Sequence, residues 1–336
     1  MTGLIATLLL SASPTWTFVV GGDIMTNGIP GSTNPFKGIA GIVGKANLAY
    51  ANLEIPLTTA TTRTPRKTPA EVAARQQYIL KGDPRHGAQI KNAGFDLVSL
   101  ANNHAMDYRT RGLSQMIGLL NKLGIQHAGA GANLDGALRP AVCTVGGIKV
   151  GLLSFLAFQN TGSLNKCTPA GKNSMGIAVL KFGGKVGPAA IAQIRRFVAN
   201  AKPDCDLLFI ALHWGIERTT VPIRYQVDLA RAFIDAGADG ILGAHPHVLQ
   251  GTETYRGKPI LYSLGNLCSP LPASTALFRL KYEGKKFVSF QPIPCRISGG
   301  KVAPLSGGSA ASELRRIAGL NQAVKRTYPQ SKAAAK

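Results

Sequence analysis

The sequence has few acidic residues, with 16 Asp and Glu against 38 Lys and Arg, which leaves a formal net charge of +22 at pH 7. It has no apolar run of the roughly 18 residues that a membrane-spanning helix needs, so we predict no transmembrane segment in the body of the chain. Its five cysteines are widely spaced and include no Cys-x-x-Cys pair. The sequence therefore indicates neither a zinc knuckle nor a redox motif.

The excess of positive charge indicates a partner class. A surface this basic attracts polyanions such as nucleic acid, an anionic membrane or an acidic polymer. We predict that nucleic acid is disfavoured as a partner, because no helix-turn-helix and no basic, aromatic sheet motif is visible. The basic residues are densest at 63–67, 285–286 and 315–336. A generally basic surface without a particular partner is the alternative. The polar segment 58–69 is interpreted as a surface loop.

The N-terminus resembles a secretory signal. Residues 3–10 are apolar and lead to Ser11-Ala12-Ser13, but no Lys or Arg precedes them. One prediction is a signal peptide over residues 1–13 and an extracytoplasmic or cell-surface location. The alternative is an uncleaved helix and a cytoplasmic location. No Pro- or Ser-rich linker follows, which favours one domain over residues 14–300, then a C-terminal extension and basic tail over 301–336.

Apolar runs alternate with helical patterns, which is typical of layered α/β proteins. Several of these runs end in polar residues; residues 206–212, for example, are predicted to form a buried strand that precedes His213. Because ligands bind at the carboxyl ends of strands in α/β sheets, these residues are candidate ligands. The candidates are Asp23, Glu54, Asn103, His213, His245 and His247.

Carboxylate, imidazole and amide groups together bind divalent metal ions, and a two-metal site needs one bridging carboxylate. The six candidates offer that set. We therefore predict one or two divalent ions, with manganese, iron or zinc favoured over magnesium because imidazole is abundant.

Six motifs between residues 16 and 267 resemble, in order and spacing, those of the CapA family, the poly-γ-glutamate capsule biosynthesis proteins. That family is similar to the calcineurin-like metallophosphoesterases. The resemblance implies an α/β fold with a four-layer αββα sandwich, followed here by a C-terminal β-hairpin and a short basic tail. The motifs are Gly22-Asp23, Ala51-Asn52-Leu53-Glu54, Leu100-Ala101-Asn102-Asn103-His104-Ala105-Met106-Asp107-Tyr108, Leu212-His213-Trp214-Gly215, His245-Pro246-His247-Val248 and Tyr262-Ser263-Leu264-Gly265-Asn266.

Carried onto this sequence, the resemblance implies two metal ions joined by the carboxylate of Glu54. The first ion would be bound by Asp23 and His247, and the second by Asn103, His213 and His245. His104 would be the catalytic group that protonates a leaving oxygen, because an imidazole titrates near neutral pH. The sequence departs from the phosphoesterases at Met25, where they carry a histidine, and at Glu54, where they carry an aspartate. These departures predict that one metal site is weak.

Two acidic neighbours are predicted to support the site. Asp107 would orient His104 and Glu217 would orient His213, since ligating histidines usually donate their other ring nitrogen to such a group. A helix cap for Asp107 and a solvated loop charge for Glu217 are the alternatives.

Three further residues are assigned from their position near the motifs. Ser263 and Asn266 would offer hydroxyl and amide hydrogen bonds to a substrate anion. Trp214 either lines the site or closes the core, and the core is favoured.

Two functions are compatible with this site. In the first, the protein is a metal-dependent hydrolase that acts on a phosphoester or a polymer bond during capsule biosynthesis or processing. In the second, it is a non-catalytic component of a capsule synthesis or export system that binds an anionic polymer. In both, the expected partners are an acidic polymer such as poly-γ-glutamate and the capsule synthesis machinery.

Overall fold

The computed structural model describes residues 14–330, and its strands form two large sheets and one small one. The predicted signal segment 1–13 lies outside the described residues. The strands are β1 (Thr15–Ile24), β2 (Leu48–Leu53), β3 (Leu97–Ser99), β4 (Gln126–Ala128), β5 (Ala130–Gly131), β6 (Ala141–Val145), β7 (Ile148–Ala157), β8 (Gly176–Ile177), β9 (Leu207–Trp214), β10 (Gly240–Ala244), β11 (Thr252–Tyr255), β12 (Lys258–Leu261), β13 (Asn266–Cys268), β14 (Ala273–Glu283), β15 (Lys286–Ser298) and β16 (Lys301–Pro304).

Helices occupy many of the connections between these strands. They are α1 (Ala40–Val43), α2 (Pro69–Ala73), α3 (Arg85–Ala93), α4 (Arg109–Leu123), α5 (Leu134–Leu138), α6 (Thr161–Asn165), α7 (Pro188–Ala201), α8 (Arg224–Asp235) and α9 (Gly307–Thr327). Among residues 14–330, none of them combines the length and apolarity that crossing a bilayer requires.

The first sheet has the strand order β16-β15-β14-β1-β2-β3-β4, and β13 pairs with the end of β1. Strands β1 to β4 run parallel, whereas β14 is antiparallel to β1. The second sheet has the order β11-β12-β10-β9-β7-β6, and β7, β9, β10 and β12 run parallel.

The two sheets pack face to face because their strands carry apolar side chains on both faces, as buried parallel strands do. On β1, Val19 packs in the cluster that contains α1, α3 and α4, whereas Phe18 packs between the sheets. The ring of Phe18 lies edge-on to that of Phe209 on β9, with centroids 5.0 Å apart. The next residue of β9, Ile210, faces α7 and α8. The predicted αββα sandwich is therefore confirmed.

The predicted C-terminal hairpin is also confirmed, since β14 and β15 pair along most of their length. Beyond it, β16 pairs with the end of β15, and Ile317 and Val324 of α9 are buried against the body. The Thr252 backbone N–H donates to Asn321 Oδ1 of α9 at 2.8 Å. Residues 301–330, which we predicted as an extension and tail, are packed on the sheets. Residues 331–336 lie outside the described part of the chain.

Candidate metal centre

The six predicted ligands come together at the carboxyl ends of parallel strands from both sheets, where ligands bind in such folds. The first sheet contributes the residues at the ends of β1, β2 and β3, and the second sheet those at the ends of β9 and β10. They are Asp23, Glu54 and Asn103 from the first sheet, and His213, His245 and His247 from the second.

Glu54 lies at the middle of the centre. Its carboxylate belongs to two groups whose ligand atoms all lie within 4.8 Å of one another, one with His245 and His247 and the other with Asp23 and His213. The Oε1 atom of Glu54 is 3.7 Å from Nε2 of His213 and 3.7 Å from Nε2 of His247. This position suits the bridging role predicted for Glu54. Each group mixes residues that the resemblance assigned to different ions, so that division stays a prediction.

Asn103 faces the same space, since its Oδ1 atom lies 2.8 Å from Nε2 of His213. Asn52, which precedes Glu54 on β2, donates from Nδ2 to Oδ1 of Asp23 at 2.8 Å. It also accepts from Ser99 Oγ at 2.7 Å. Sequence reasoning assigned Asn52 no role, although it lies within a quoted motif.

Three buried polar atoms of the centre have no hydrogen-bond partner among the described residues: both carboxylate oxygens of Glu54, and Nδ1 of His245. Burying an ionised carboxylate without a partner lowers the free energy of unfolding by roughly several kcal/mol. A cation beside these atoms would remove that cost, and carboxylate, imidazole and amide donors suit manganese, iron or zinc. The residues present therefore fit a divalent metal ion.

The electrostatics among the side chains of the centre follow from burial and crowding. Burial raises the pKa of Glu54 well above its usual value, while His247 opposes this shift. Burial also lowers the pKa of His213 and of His245 well below the usual range. His247 is the exception, because Glu54 and Asp23 outweigh its burial and raise its pKa to about 10. The proton on His247 thus provides positive charge between the two carboxylates.

The loop after β10 holds its two histidines in an unusual backbone conformation. His245 and His247 have φ angles of 97° and 59°, a region that residues other than glycine seldom adopt. The loop is held by the His245 backbone N–H, which donates to Asp23 Oδ2 at 3.1 Å, and by Ser263 Oγ, which donates to the Val248 carbonyl at 2.7 Å. Strained residues of this kind cluster at functional sites.

Ser263 and Asn266, predicted to bind a substrate anion, both contact this loop. The Ser263 hydroxyl donates to backbone, as described, and Asn266 Oδ1 lies 2.9 Å from Nδ1 of His247. In the structure they position the histidine loop. Their contact with substrate stays a prediction.

Beside the centre, Asp107 contacts His104, and its orienting role stays a prediction. Its Oδ2 atom lies 2.7 Å from Nδ1 of His104, and its Oδ1 atom lies 2.5 Å from Nζ of Lys67. Burial and the Lys67 cation lower the pKa of His104, while Asp107 opposes them. Lys67 is 2% exposed, so our interpretation of segment 58–69 as surface loop is wrong at this residue.

Glu217 does not orient His213 as we predicted. It is exposed, while the ring nitrogens of His213 face Asn103 Oδ1 at 2.8 Å and Asn52 Nδ2 at 3.5 Å. Trp214 closes the core, where it is fully buried and donates from Nε1 to the Tyr262 carbonyl at 2.8 Å.

Phe158, which sequence reasoning missed, covers one side of the centre. Its ring centroid lies 4.6 Å from that of His245 and 5.9 Å from that of His213. Phe158 directly follows β7, and the apolar character of that segment is the only sequence signal for it.

A cleft of about 600 Å³ opens from the centre to the surface. Asn103, His104 and His245 line its inner part, and Glu217 also lines it. The catalytic candidate and two of the six metal candidates therefore line one accessible space.

A family model described as bacterial capsule synthesis protein PGA_cap matches residues 17–270. The chain belongs to this family. The resemblance that the six motifs indicated is confirmed.

Among relatives, the chain is 35% identical over 177 residues to the capsule biosynthesis protein CapA of Bacillus anthracis, a match covering 53% of this chain and 41% of that protein. It is 30% identical over 199 residues to a probable polyglutamine synthesis accessory protein of Mycobacterium tuberculosis, covering 59% of this chain and 51% of that protein. The matches span only about half the length of these relatives.

Among solved structures, that of a hypothetical protein from Thermus thermophilus resembles this fold. The TM-score is 0.51 at 15% sequence identity, and the match covers 83% of this chain and 99% of that one. This likeness concerns the fold alone.

Proposed function

We propose that this protein is a metal-dependent hydrolase that acts on a phosphoester or a polymer bond during the synthesis or processing of a capsule polymer. The observation that carries the proposal is the unpartnered, buried carboxylate of Glu54, which lies between imidazoles and the carboxylate of Asp23. Burial disfavours the ionised form of Glu54, and a cation beside it would restore that form. A divalent ion there would also supply charge that stabilises negative charge in the transition state.

His104 is the proposed general acid. Asp107 accepts at Nδ1, which fixes the ring orientation and directs Nε2 toward the cleft that His104 lines. In its cationic form, which the Asp107 carboxylate favours, the ring also carries a proton on Nε2 and delivers it to the leaving oxygen. Phe158 packs against His213 and His245 and excludes water from that side of the centre.

The proposed substrate is an acidic polymer such as poly-γ-glutamate, made together with the capsule synthesis machinery. A net charge of +22 supports a polyanionic ligand, and the names of two relatives refer to capsule and polyglutamine synthesis. The proposed location is extracytoplasmic or at the cell surface, on the basis of residues 3–13.

A second candidate is a non-catalytic component that uses the centre to bind an anionic polymer. Met25, at a position where phosphoesterases carry a histidine, supports it. A thioether is a soft ligand that suits the proposed metals less well than an imidazole does.

The test is metal analysis of the purified protein, followed by assays on phosphomonoesters, phosphodiesters and poly-γ-glutamate. We expect one or two ions per chain and hydrolysis of at least one class, lost in Glu54→Ala and kept in His127→Ala, whose ring lies outside the centre. A metal-loaded protein that cleaves none of them, but binds poly-γ-glutamate and loses that binding in Glu54→Ala, would establish the second candidate.

A further inference from the structure

The outer part of the cleft is built by two segments that face each other. One is the stretch that follows α2, and the other carries α6. At about 600 Å³, the cleft is in the range of pockets that enclose whole small molecules, roughly 300–1,000 Å³. A single phosphate group at the metal centre would leave most of it empty. The cleft therefore has room for a substrate that extends beyond the reacting bond.

The outer lining carries two cations. Lys166, on the α6 side, is paired with Glu71, so its charge is already balanced. Arg75, on the α2 side, is exposed and makes no salt bridge within the described residues 14–330. The same cleft is also lined by amide side chains and an exposed tyrosine, Gln76, Gln77, Gln159, Asn160 and Tyr78, and by the exposed Ile216 and Glu217. Arg75 is thus the cation left for a ligand.

The backbone of Arg75 adopts a conformation that its side chain does not favour. Its φ angle is 56°, in the left-handed region where glycine is the usual residue. Helix α2 ends just before it, and the Arg75 backbone N–H donates to the Val72 carbonyl at 3.1 Å. A non-glycine residue persists there only if the surrounding structure holds it.

Hydrogen bonds from Lys67 and to Asp107 hold the segment after α2 in place. Lys67 Nζ donates to the Tyr78 carbonyl at 2.9 Å and to the Asn103 carbonyl at 3.0 Å. The Leu80 backbone N–H donates to Oδ2 of Asp107 at 2.7 Å. Residues 78–80 of the segment that carries Arg75 are therefore held next to Asn103 and Asp107.

We infer that Arg75 binds an anionic group of the substrate in the outer cleft, so that the substrate is an extended, multiply charged chain and not a small phosphomonoester. The inference rests on the proposed function, because it takes the metal centre as the reacting end. A carboxylate is the matching group, since the guanidinium presents paired donors to its two oxygens.

The experiment measures binding to the metal-loaded full chain by calorimetry. The probes are a γ-linked glutamate hexamer, the same hexamer with its α-carboxylates converted to carboxamides, and inorganic phosphate. We expect Arg75→Ala to lower affinity for the charged hexamer about three- to tenfold, as expected for one partly exposed charged contact. The neutral hexamer and phosphate should bind as they do to the wild type.

Arg195→Ala is the matched control, because Arg195 is exposed on α7 and does not line the cleft. Equal losses in the two variants, or unchanged affinity in Arg75→Ala, would overturn the inference. So would a loss of phosphate binding in Arg75→Ala, because it would place Arg75 at the reacting end. Failure of the wild type to bind phosphate or metal would instead overturn the proposed function, whatever Arg75 does.

Discussion

The Nζ atom of Lys67 lies 2.5 Å from Oδ1 of Asp107, and each side chain is only 1% exposed. The three N–H groups of the ammonium match three acceptors: Asp107 Oδ1 and the carbonyls of Tyr78 and Asn103. The other oxygen of Asp107 accepts from His104 Nδ1 and from the Leu80 backbone N–H. One buried ion pair therefore connects the catalytic candidate to the cleft wall.

Replacing Lys67 should destabilise the protein strongly. In Lys67→Met the buried carboxylate of Asp107 loses its cation, and breaking a buried pair on one side costs about 3–5 kcal/mol. The free energy of unfolding from urea denaturation measures this. The control is Lys285→Met, whose own side chain is exposed and whose partner Asp206 is partly exposed, so its loss should be much smaller. Similar losses in both variants would show that the buried Lys67–Asp107 pair contributes no more to the free energy of unfolding than the Lys285–Asp206 pair does.

Replacing His104 should separate catalysis from metal binding. We expect His104→Ala to fold and to keep its metal, because no ligand is removed, while kcat falls about 10²–10⁴-fold, the usual contribution of a general acid. Metal content and kcat are measured on the same preparation, with His127→Ala as the matched control. A variant that loses its metal would mark His104 as a ligand, and a fully active one would exclude it from the mechanism.

The double variant His213→Ala/His245→Ala should lose metal. These residues contribute one imidazole to each of the two ligand groups, so their removal leaves no group complete. Elemental analysis and calorimetry of metal uptake measure the effect. Uptake equal to that of the wild type would show that the ion binds elsewhere.

Metal affinity should rise with pH. In the metal-free protein, burial lowers the pKa of His247, but Glu54 and Asp23 outweigh it and raise that pKa to about 10. His247 is then protonated at neutral pH, and an ion that binds to its ring has to displace the proton. Calorimetry in buffers of different ionisation enthalpy should detect about one proton released per ion at this position. An affinity independent of pH would contradict the predicted ligation by His247.

The positions of the metal candidates were predictable because each follows an apolar run. Asp23 and Glu54 come at the ends of strands whose burial is evident from composition, and parallel topology then brings those ends to one edge. The partners of these residues were not predictable in the same way. Lys67 lies in a polar segment with no periodic pattern, and it is buried only because that segment folds against Asn103 and Asp107.

Glu217 is a second residue whose contacts could not be predicted from the sequence. Its position shortly after His213 in the sequence suggested a contact, but the chain turns at Gly215, where φ is 84°. The ring of His213 instead contacts Asn52 on β2 and Asn103 after β3, both from the other sheet. Nearness along the chain was a poor guide to nearness in space.

The hydrogen bond from the His245 backbone N–H to Asp23 Oδ2 joins residues 222 positions apart. Both ligand groups draw on the two sheets, since Glu54 comes from the first and the histidines from the second. A nascent chain that still lacks its second half cannot hold an ion in this arrangement. Metal uptake during refolding should therefore be a late event. The metal content of a preparation then measures the fraction of molecules in which the two sheets have packed together.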